Sequence, residues 1–238
     1  MNFNEKIVLV TGGTGGLGRE VTMAFLEGGA SVVVTYRAGE EFDAVVAAAQ
    51  KIGAMPPVGV NVDVTDAVAV EKFVAEIVSR HKRLDILVNT VGGYAGGTNL
   101  WEADSRTYEK MMQLNLNAGF VLARAVVPQM IKQNRGWIVN IASKAAWDHA
   151  AGGALYAASK AAALAMMDSL AADVKPFNIN VNSVLPSIID TAVNRAAMPK
   201  ADFSKWPKPE EIARVILFLC SEDARVIHGA AIPVFGRS

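Results

Sequence analysis

Apolar residues fall in short unbroken runs, and each run gives way to a stretch with helical spacing. The run 7–10 (Ile-Val-Leu-Val) ends in a glycine cluster, and a helix is predicted over about 17–27, stopped by Gly28 and Gly29. Strand 31–36, helix 41–52 and strand 58–62 follow. Thr65 and Asp66 supply N-cap chemistry for a helix running to about 81. Further strands are predicted at 84–89, 137–141 and 179–185, with helices over about 108–132 and 155–174 between them. Pro209, Glu210 and Glu211 open a last helix, and a short strand at 231–234 closes the pattern.

Strand then helix, repeated six times, predicts right-handed βαβ crossovers. The expected fold is one α/β domain over residues 1–238, with a doubly wound, mostly parallel sheet of about seven strands and helices on both faces. Such strands are buried on both sides, which accounts for runs that are apolar throughout. Ligands sit beyond the carboxyl ends of strands in these sheets. The glycine cluster, Tyr36, Arg37, Asp63, Asn89, Ser143 and Pro186 all fall at such ends, so one cleft is expected to hold them.

Composition narrows the choices further. The chain is 52% apolar and 19% charged, with zero formal net charge and no basic run, so a nucleic-acid partner is not expected. Cys220 is the sole cysteine, which excludes an internal disulfide and fits a reducing compartment. His81, His149 and His228 are scattered, and no metal site is expected. No unbroken apolar stretch nears the roughly 18 residues that span a bilayer. Residues 1–6 run straight into the first strand without the pattern of a signal peptide. The expectation is a soluble, cytoplasmic protein without a membrane partner.

Thr11-Gly12-Gly13-Thr14-Gly15-Gly16-Leu17-Gly18 joins the first strand to the first helix. Glycines let backbone N–H groups approach a pyrophosphate, and a helix N-terminus favours negative charge. Such a cluster alone is often an ordinary turn; strand before and helix after is the context that makes it a nucleotide loop. An NAD-specific site would place an acid at the end of the second strand, whereas the chain reads Thr35-Tyr36-Arg37 there. A guanidinium can clamp a 2′-phosphate by paired hydrogen bonds, so NADP(H) is expected over NAD(H).

Tyr156 and Lys160 stand four apart, on one face of a predicted helix. Free tyrosine has a pKa near 10, so only about one phenol in a thousand is ionised at pH 7. A neighbouring ammonium and an oxidised nicotinamide both favour the anion, and the expectation is a lowered Tyr156 pKa and general acid–base work. Ser143 ends the fifth strand, thirteen residues before Tyr156, where its hydroxyl can donate to a substrate oxygen. A lone Tyr–Lys pair or strand-end serine is common surface chemistry.

The Thr-Gly-x-x-x-Gly-x-Gly loop, Asn115, Ser143, the Tyr-x-x-x-Lys pair and the segment from Pro186 to Thr191 come in one order across nearly the whole chain. That order resembles the short-chain dehydrogenase/reductase family, with the 3-oxoacyl-carrier-protein reductases as its nearest familiar branch. The resemblance implies a Rossmann-type fold and hydride transfer between a nicotinamide and a carbonyl or alcohol carbon. It implies catalytic roles for Asn115, Ser143, Tyr156 and Lys160, with Asn115 helping to hold a water and Lys160 bonding the nicotinamide ribose. It implies cofactor contacts from Gly12, Thr14, Gly15, Gly16, Leu17, Gly18, Tyr36, Arg37, Asp63, Val64, Asn89, Gly92, Tyr156, Lys160, Pro186, Ile189 and Thr191. Asp63 and Val64 would lie beside the adenine, although Asp63 also suits a helix cap. Ile189 and Thr191 would hold the carboxamide. A homotetramer is implied as well.

The chain departs from the family at Thr90-Val91, at Ser187 for the usual glycine, and at Phe235-Gly236-Arg237. By position, Tyr94, Ala145, Trp147, Leu155 and Trp206 line the expected substrate pocket, and residues 186–208 form an expected mobile loop. Trp206 in that loop suits an anchor equally well. Arg124, Lys132 and Arg135 could dock an acidic acyl carrier, or simply be a solvated face. A sugar or polyol dehydrogenase and a non-catalytic NADP-sensing module are the other readings; retention of Ser143, Tyr156 and Lys160 argues against the second.

Overall fold

The computed structural model describes every residue from Met1 to Ser238. Seven strands form one parallel sheet: β1 (Ile7–Thr11), β2 (Ser31–Tyr36), β3 (Val58–Asn61), β4 (Ile86–Asn89), β5 (Gly136–Ile141), β6 (Ile179–Pro186) and β7 (Ala231–Val234). Their spatial order is β3-β2-β1-β4-β5-β6-β7, so the order reverses beside β1. The helices are α1 (Gly18–Glu27), α2 (Gly39–Lys51), α3 (Ala67–His81), α4 (Ser105–Met112), α5 (Ala118–Gln133), α6 (Ala154–Val174), α7 (Ala192–Ala197) and α8 (Pro209–Leu219).

Successive strand residues point to opposite faces, and the two faces build two cores. Val8, Val10, Val32 and Val34 pack with Phe25 of α1 and Ile212 and Ile216 of α8. Ile7, Leu9, Val33 and Leu87 pack with Phe73 of α3, Leu122 of α5 and Met167 of α6. Asp66 caps α3, its carboxylate accepting from the N–H groups of Val68 and Ala69 at 3.0 and 3.1 Å.

Three sequence expectations need correction. The helix predicted over 108–132 starts earlier and is interrupted: residues Gln113–Asn117 form a π-turn between α4 and α5. Taken as one segment, Ser105–Gln133 is long and apolar enough to cross a membrane by length and composition, contrary to the expectation that no stretch qualified. Here Val121, Leu122, Val126 and Met130 of that segment cover the sheet. The stretch 186–208, read as a loop, contains α7, which Thr191 caps by accepting from the Asn194 N–H at 3.2 Å.

The amino end of the sheet is pinned by Asp85, which is 1% exposed. Its carboxylate accepts from the Ile7 N–H at 2.9 Å and from Arg83 Nε at 2.9 Å. Replacing Asp85 by alanine leaves a buried N–H and a guanidinium without their partner. Asp85→Ala is expected to cost about 2–4 kcal/mol in urea unfolding; a loss below about 0.5 kcal/mol would contradict this account.

Candidate active site

A rung of polar side chains crosses the carboxyl end of the sheet, because register places Thr11 beside Asn89 and Asn89 beside Asn140. The Thr11 hydroxyl donates to Asn89 Oδ1 at 2.8 Å, and Asn89 Nδ2 donates to Asn140 Oδ1 at 2.9 Å. Asn89 is 3% exposed, and its amide is spent joining β1, β4 and β5. Its side chain therefore braces the three strand ends behind the cleft.

In front of that rung lies a cleft of about 240 Å³. Gly12, Thr14, Gly15, Tyr36, Arg37, Val64 and Gly92 line it, as the sequence predicts, together with Thr35, Glu41, Val62, Thr90, Val91 and Leu114. The glycine loop is cramped where it folds and open where it faces out. Gly12 has φ +66°, and a Cβ on Gly18 would lie 2.0 Å from the Gly12 carbonyl oxygen. A Cβ on Gly15 meets only that oxygen, at 3.5 Å, and both Gly15 and Gly16 are exposed. Leu17 instead turns into the core, and α1 begins with no side-chain cap. In the first turn the Arg19 and Val21 N–H groups donate to the Gly15 and Leu17 carbonyls, and the helix start without a side-chain cap, behind a bare glycine turn, fits a dinucleotide's pyrophosphate. Thr191 stands over this loop: its Cγ2 lies 2.9 Å from where a Cβ on Gly16 would be.

At the far end of the cleft Tyr36 stacks on Phe42, with centroids 4.7 Å apart and planes 9° apart. Arg37 is exposed, and its Nη2 lies 3.7 Å from Asp63 Oδ2. Asp63 accepts from the Thr65 N–H and hydroxyl at 2.9 and 2.8 Å, which holds its carboxyl below the ordinary range. It thus braces the turn before α3, while Val64 beside it is buried. Sequence reasoning missed Glu41, because an acid in the first turn of a helix is unremarkable in a one-dimensional pattern.

Beyond the Gly92 edge of the cleft stand Asn115 and Lys160, and Tyr156 is hydrogen-bonded with Ser143 one helical turn before Lys160. The π-turn turns Asn115 inward, where its amide donates to the Gly93 carbonyl at 3.0 Å and to Ser159 Oγ at 2.9 Å. Its Oδ1 accepts from the Gly93 N–H at 2.8 Å. Lys160 is 5% exposed, and Nζ donates to the Ile141 carbonyl at 2.8 Å. Burial without a counter-charge lowers its pKa to about 8. Gly92 is needed here, since a Cβ would lie 2.9 Å from Asn115 Oδ1 and 3.0 Å from Lys160 Nζ.

Tyr156 behaves differently in the free chain from the sequence expectation. Burial raises its pKa, Tyr94 adds to the shift, and hydrogen bonding with Ser143 opposes it. The anion is costly in a partly dry pocket, and Lys160 is turned toward a backbone carbonyl, so the ammonium alone does not acidify the phenol. Ser143 follows β5, past Ala142, and also accepts from the Ala145 N–H at 3.1 Å.

Around the phenol, Tyr94 meets Tyr156 edge-on with centroids 5.0 Å apart and planes 75° apart. Trp147 is exposed, and Ala145 and Leu155 are half-buried. Trp206 is 6% exposed, with its ring 5.0 Å from that of Phe203. It anchors the loop from below and does not line the pocket. Pro186 is buried, while the Ile189 carbonyl accepts from Asn194 Nδ2 at 2.8 Å, which fixes the turn into α7. Arg124 and Arg135 have acidic neighbours, Glu71 and Glu222. A larger groove of about 460 Å³ lies at the amino ends of β5 and β6, remote from these groups.

The fold and this constellation define an α/β oxidoreductase with a nucleotide cleft. The sequence profile described as short chain dehydrogenase matches residues 6–202, and the chain belongs to that family. It is an oxidoreductase acting on CH–OH groups, in a family that typically uses a nicotinamide coenzyme. It is 32% identical over 245 residues to the 3-oxoacyl-[acyl-carrier-protein] reductase of Thermotoga maritima, covering 99% of this chain and 98% of that one. It is 33% identical over 245 residues to the meso-2,3-butanediol dehydrogenase of Serratia marcescens, covering 99% and 95%. The crystal structure of NAD⁺-bound xylitol dehydrogenase superposes with a TM-score of 0.92 at 26% identity, over 99% of this chain and 100% of that one.

Lys160 generates a stability prediction. Its native pKa of about 8 lies below the unfolded value of 10.5, so between those limits the unfolded chain holds more protons. The burial cost is therefore present in full below pH 8 and is relieved as pH rises toward 10.5. Removing it is worth on the order of 3 kcal/mol, less about 1 kcal/mol for the lost Ile141 bond. The coenzyme-free Lys160→Met variant is expected to unfold at higher temperature than the parent at pH 7, by a margin that closes above pH 8. A margin that stays flat from pH 6 to pH 10 would remove burial of the charge as its cause.

Proposed function

We propose that this protein is an NADP(H)-dependent reductase of carbonyl compounds, 3-oxoacyl thioesters among them. The observation that carries the proposal is the convergence of Ser143, Tyr156, Lys160 and Asn115 near a cleft at which β2 itself ends in Tyr36 and Arg37, with no acid at the strand end. The residues fit a dinucleotide: the bare glycine turn and the uncapped α1 for its pyrophosphate, Val64 beside the base, Thr191 over the loop and Arg37 for a 2′-phosphate. When bound, the coenzyme supplies the hydride in reduction and accepts it in oxidation.

The chain's own groups do the rest. Ser143 donates to the substrate oxygen, where charge develops in the transition state. Tyr156 delivers the proton to that oxygen in reduction and removes it in oxidation. In the coenzyme-free chain burial raises its pKa above the ordinary phenol value, so the phenol holds the proton it would deliver. Lys160, with a pKa of about 8, can give and take a proton in the working range and replenish the phenol. Asn115 fixes the Gly93 backbone on the floor beneath both.

Tyr94 and Trp147 at the mouth favour a flat or apolar substrate. The likeness to a diol dehydrogenase supports a second reading, oxidation of a small diol or polyol by the same residues. The likeness to an acyl-carrier reductase supports a carrier-borne substrate. Exposed Trp101, Phe120 and Phe218 support a homotetramer, and a lone buried cysteine supports a cytoplasmic setting.

A panel of ketones, quinones, acyl thioesters and vicinal diols with NADPH and NADP⁺ tests the reading. Turnover is expected in at least one carbonyl class and is expected to fall about 100- to 10,000-fold in Tyr156→Phe. Turnover confined to diols would select the second reading, and coenzyme binding without turnover would select a sensing module. Arg37→Asp is expected to lose the NADPH preference; a variant that kept it would contradict the assignment of Arg37.

A further inference from the structure

The Glu41 carboxylate lines the adenosine end of the cleft together with Thr14 and Arg37. Its Oε2 accepts a hydrogen bond from the Thr14 hydroxyl at 2.9 Å, reaching from the first turn of α2 to the phosphate loop. The helix dipole accounts for an acid at that turn. It does not account for the tie across the cleft, and Glu40 beside it makes none. Arg37 itself stands 3.7 Å from Asp63. The corner between the glycine loop and the end of β2 thus holds one cation and two carboxylates, Glu41 in the cleft lining with it and Asp63 paired to it.

A phosphate monoester carries about 1.5 to 2 negative charges at pH 7 and accepts hydrogen bonds. A 2′-phosphate in this corner would meet Glu41 as a like charge, and would find the Thr14 hydroxyl already donated. A ribose 2′-hydroxyl is both donor and acceptor and can give its proton to a carboxylate. We propose that Glu41 is a specificity-determining residue, which holds Thr14 away from a 2′-phosphate and repels that phosphate. Arg37 admits NADP(H), Glu41 keeps the margin over NAD(H) small, and the protein works with both coenzymes. This rests on the assignment of the corner to the adenosine ribose of NADP(H).

The test is calorimetric binding of 2′,5′-ADP and of ADP to the coenzyme-free protein, read as the ratio of their Kd values. Glu41→Gln keeps an acceptor for Thr14 and removes the charge; the position is exposed, so folding is not at risk. The variant is expected to shift the ratio about tenfold toward 2′,5′-ADP at low salt. Added salt of about 0.5 M should shrink the gain, since exposed charges are screened. The ratio of kcat/KM for NADPH over NADH should rise in step, and Glu41→Lys should raise both further. An unchanged ratio in Glu41→Gln and Glu41→Lys overturns the proposal. If Arg37→Asp still collapses 2′,5′-ADP binding in that case, the NADP(H) reading survives alone. If Arg37→Asp is equally silent, both readings fall together.

Discussion

One ammonium group, buried at the carboxyl end of the sheet without a counter-charge, governs the architecture of the reacting end of this molecule. Lys160 satisfies Nζ on the Ile141 carbonyl, and that single bond does not offset the loss of water, so its pKa drops to about 8. A side chain at Gly92 would crowd the ammonium at 3.0 Å and the amide oxygen of Asn115 at 2.9 Å, so one of them would have to shift. Asn115 can stand there only because the helix that carries it widens by one residue over Gln113–Asn117. The glycine after β4 is thus where two neighbours meet, the buried ammonium from α6 and the amide that the π-turn brings inward.

Behind that charge, the polar rung of Thr11, Asn89 and Asn140 holds three strand ends in register. Parallel strands need crossovers, which keep successive strand ends on one edge of the sheet. The rung fixes how the ends of β1, β4 and β5 stand relative to one another, and with them the turn after β5 that carries Ser143. A core of valines would supply cohesion without that register-specific pairing.

The features legible in the sequence were those that depend on local chemistry. Apolar runs revealed the strands of the sheet, Asp66 marked the start of α3, and Pro209 with two following acids marked α8. The order of the glycine loop, Ser143, Tyr156 and Lys160 pointed to one cleft. What stayed hidden depends on three-dimensional neighbours. The π-turn has no composition signal, since Gln113, Leu114, Leu116 and Asn117 suit an ordinary helix. That the Asn89 side chain is spent on Thr11 and Asn140 emerges only from the register. Tyr156 and Lys160 are spaced correctly on their helix, but burial and the Ile141 carbonyl, both tertiary, decide the direction in which their pKa values move. Trp206 at a loop tip and Trp206 under a loop look identical in one dimension.

The departures from the family pattern near the nicotinamide side become intelligible as a set. Ser187 Oγ donates to the Phe235 carbonyl at 2.8 Å and shares a hydrogen bond of 2.7 Å with Ser238 Oγ. Gly236 keeps φ +64°, and a Cβ there would lie 2.6 Å from the Lys205 carbonyl oxygen, to which the Arg237 N–H donates at 2.9 Å. Pro207, two residues further on, accepts from the Asp190 N–H at 3.0 Å. Residues 235–238 therefore join the turn after β6 to the far root of the loop that carries α7. A glycine at 187 would offer a flexible turn with no side chain to engage this clasp. The serine exchanges that freedom for a fixed root, which ties both ends of the segment that carries α7.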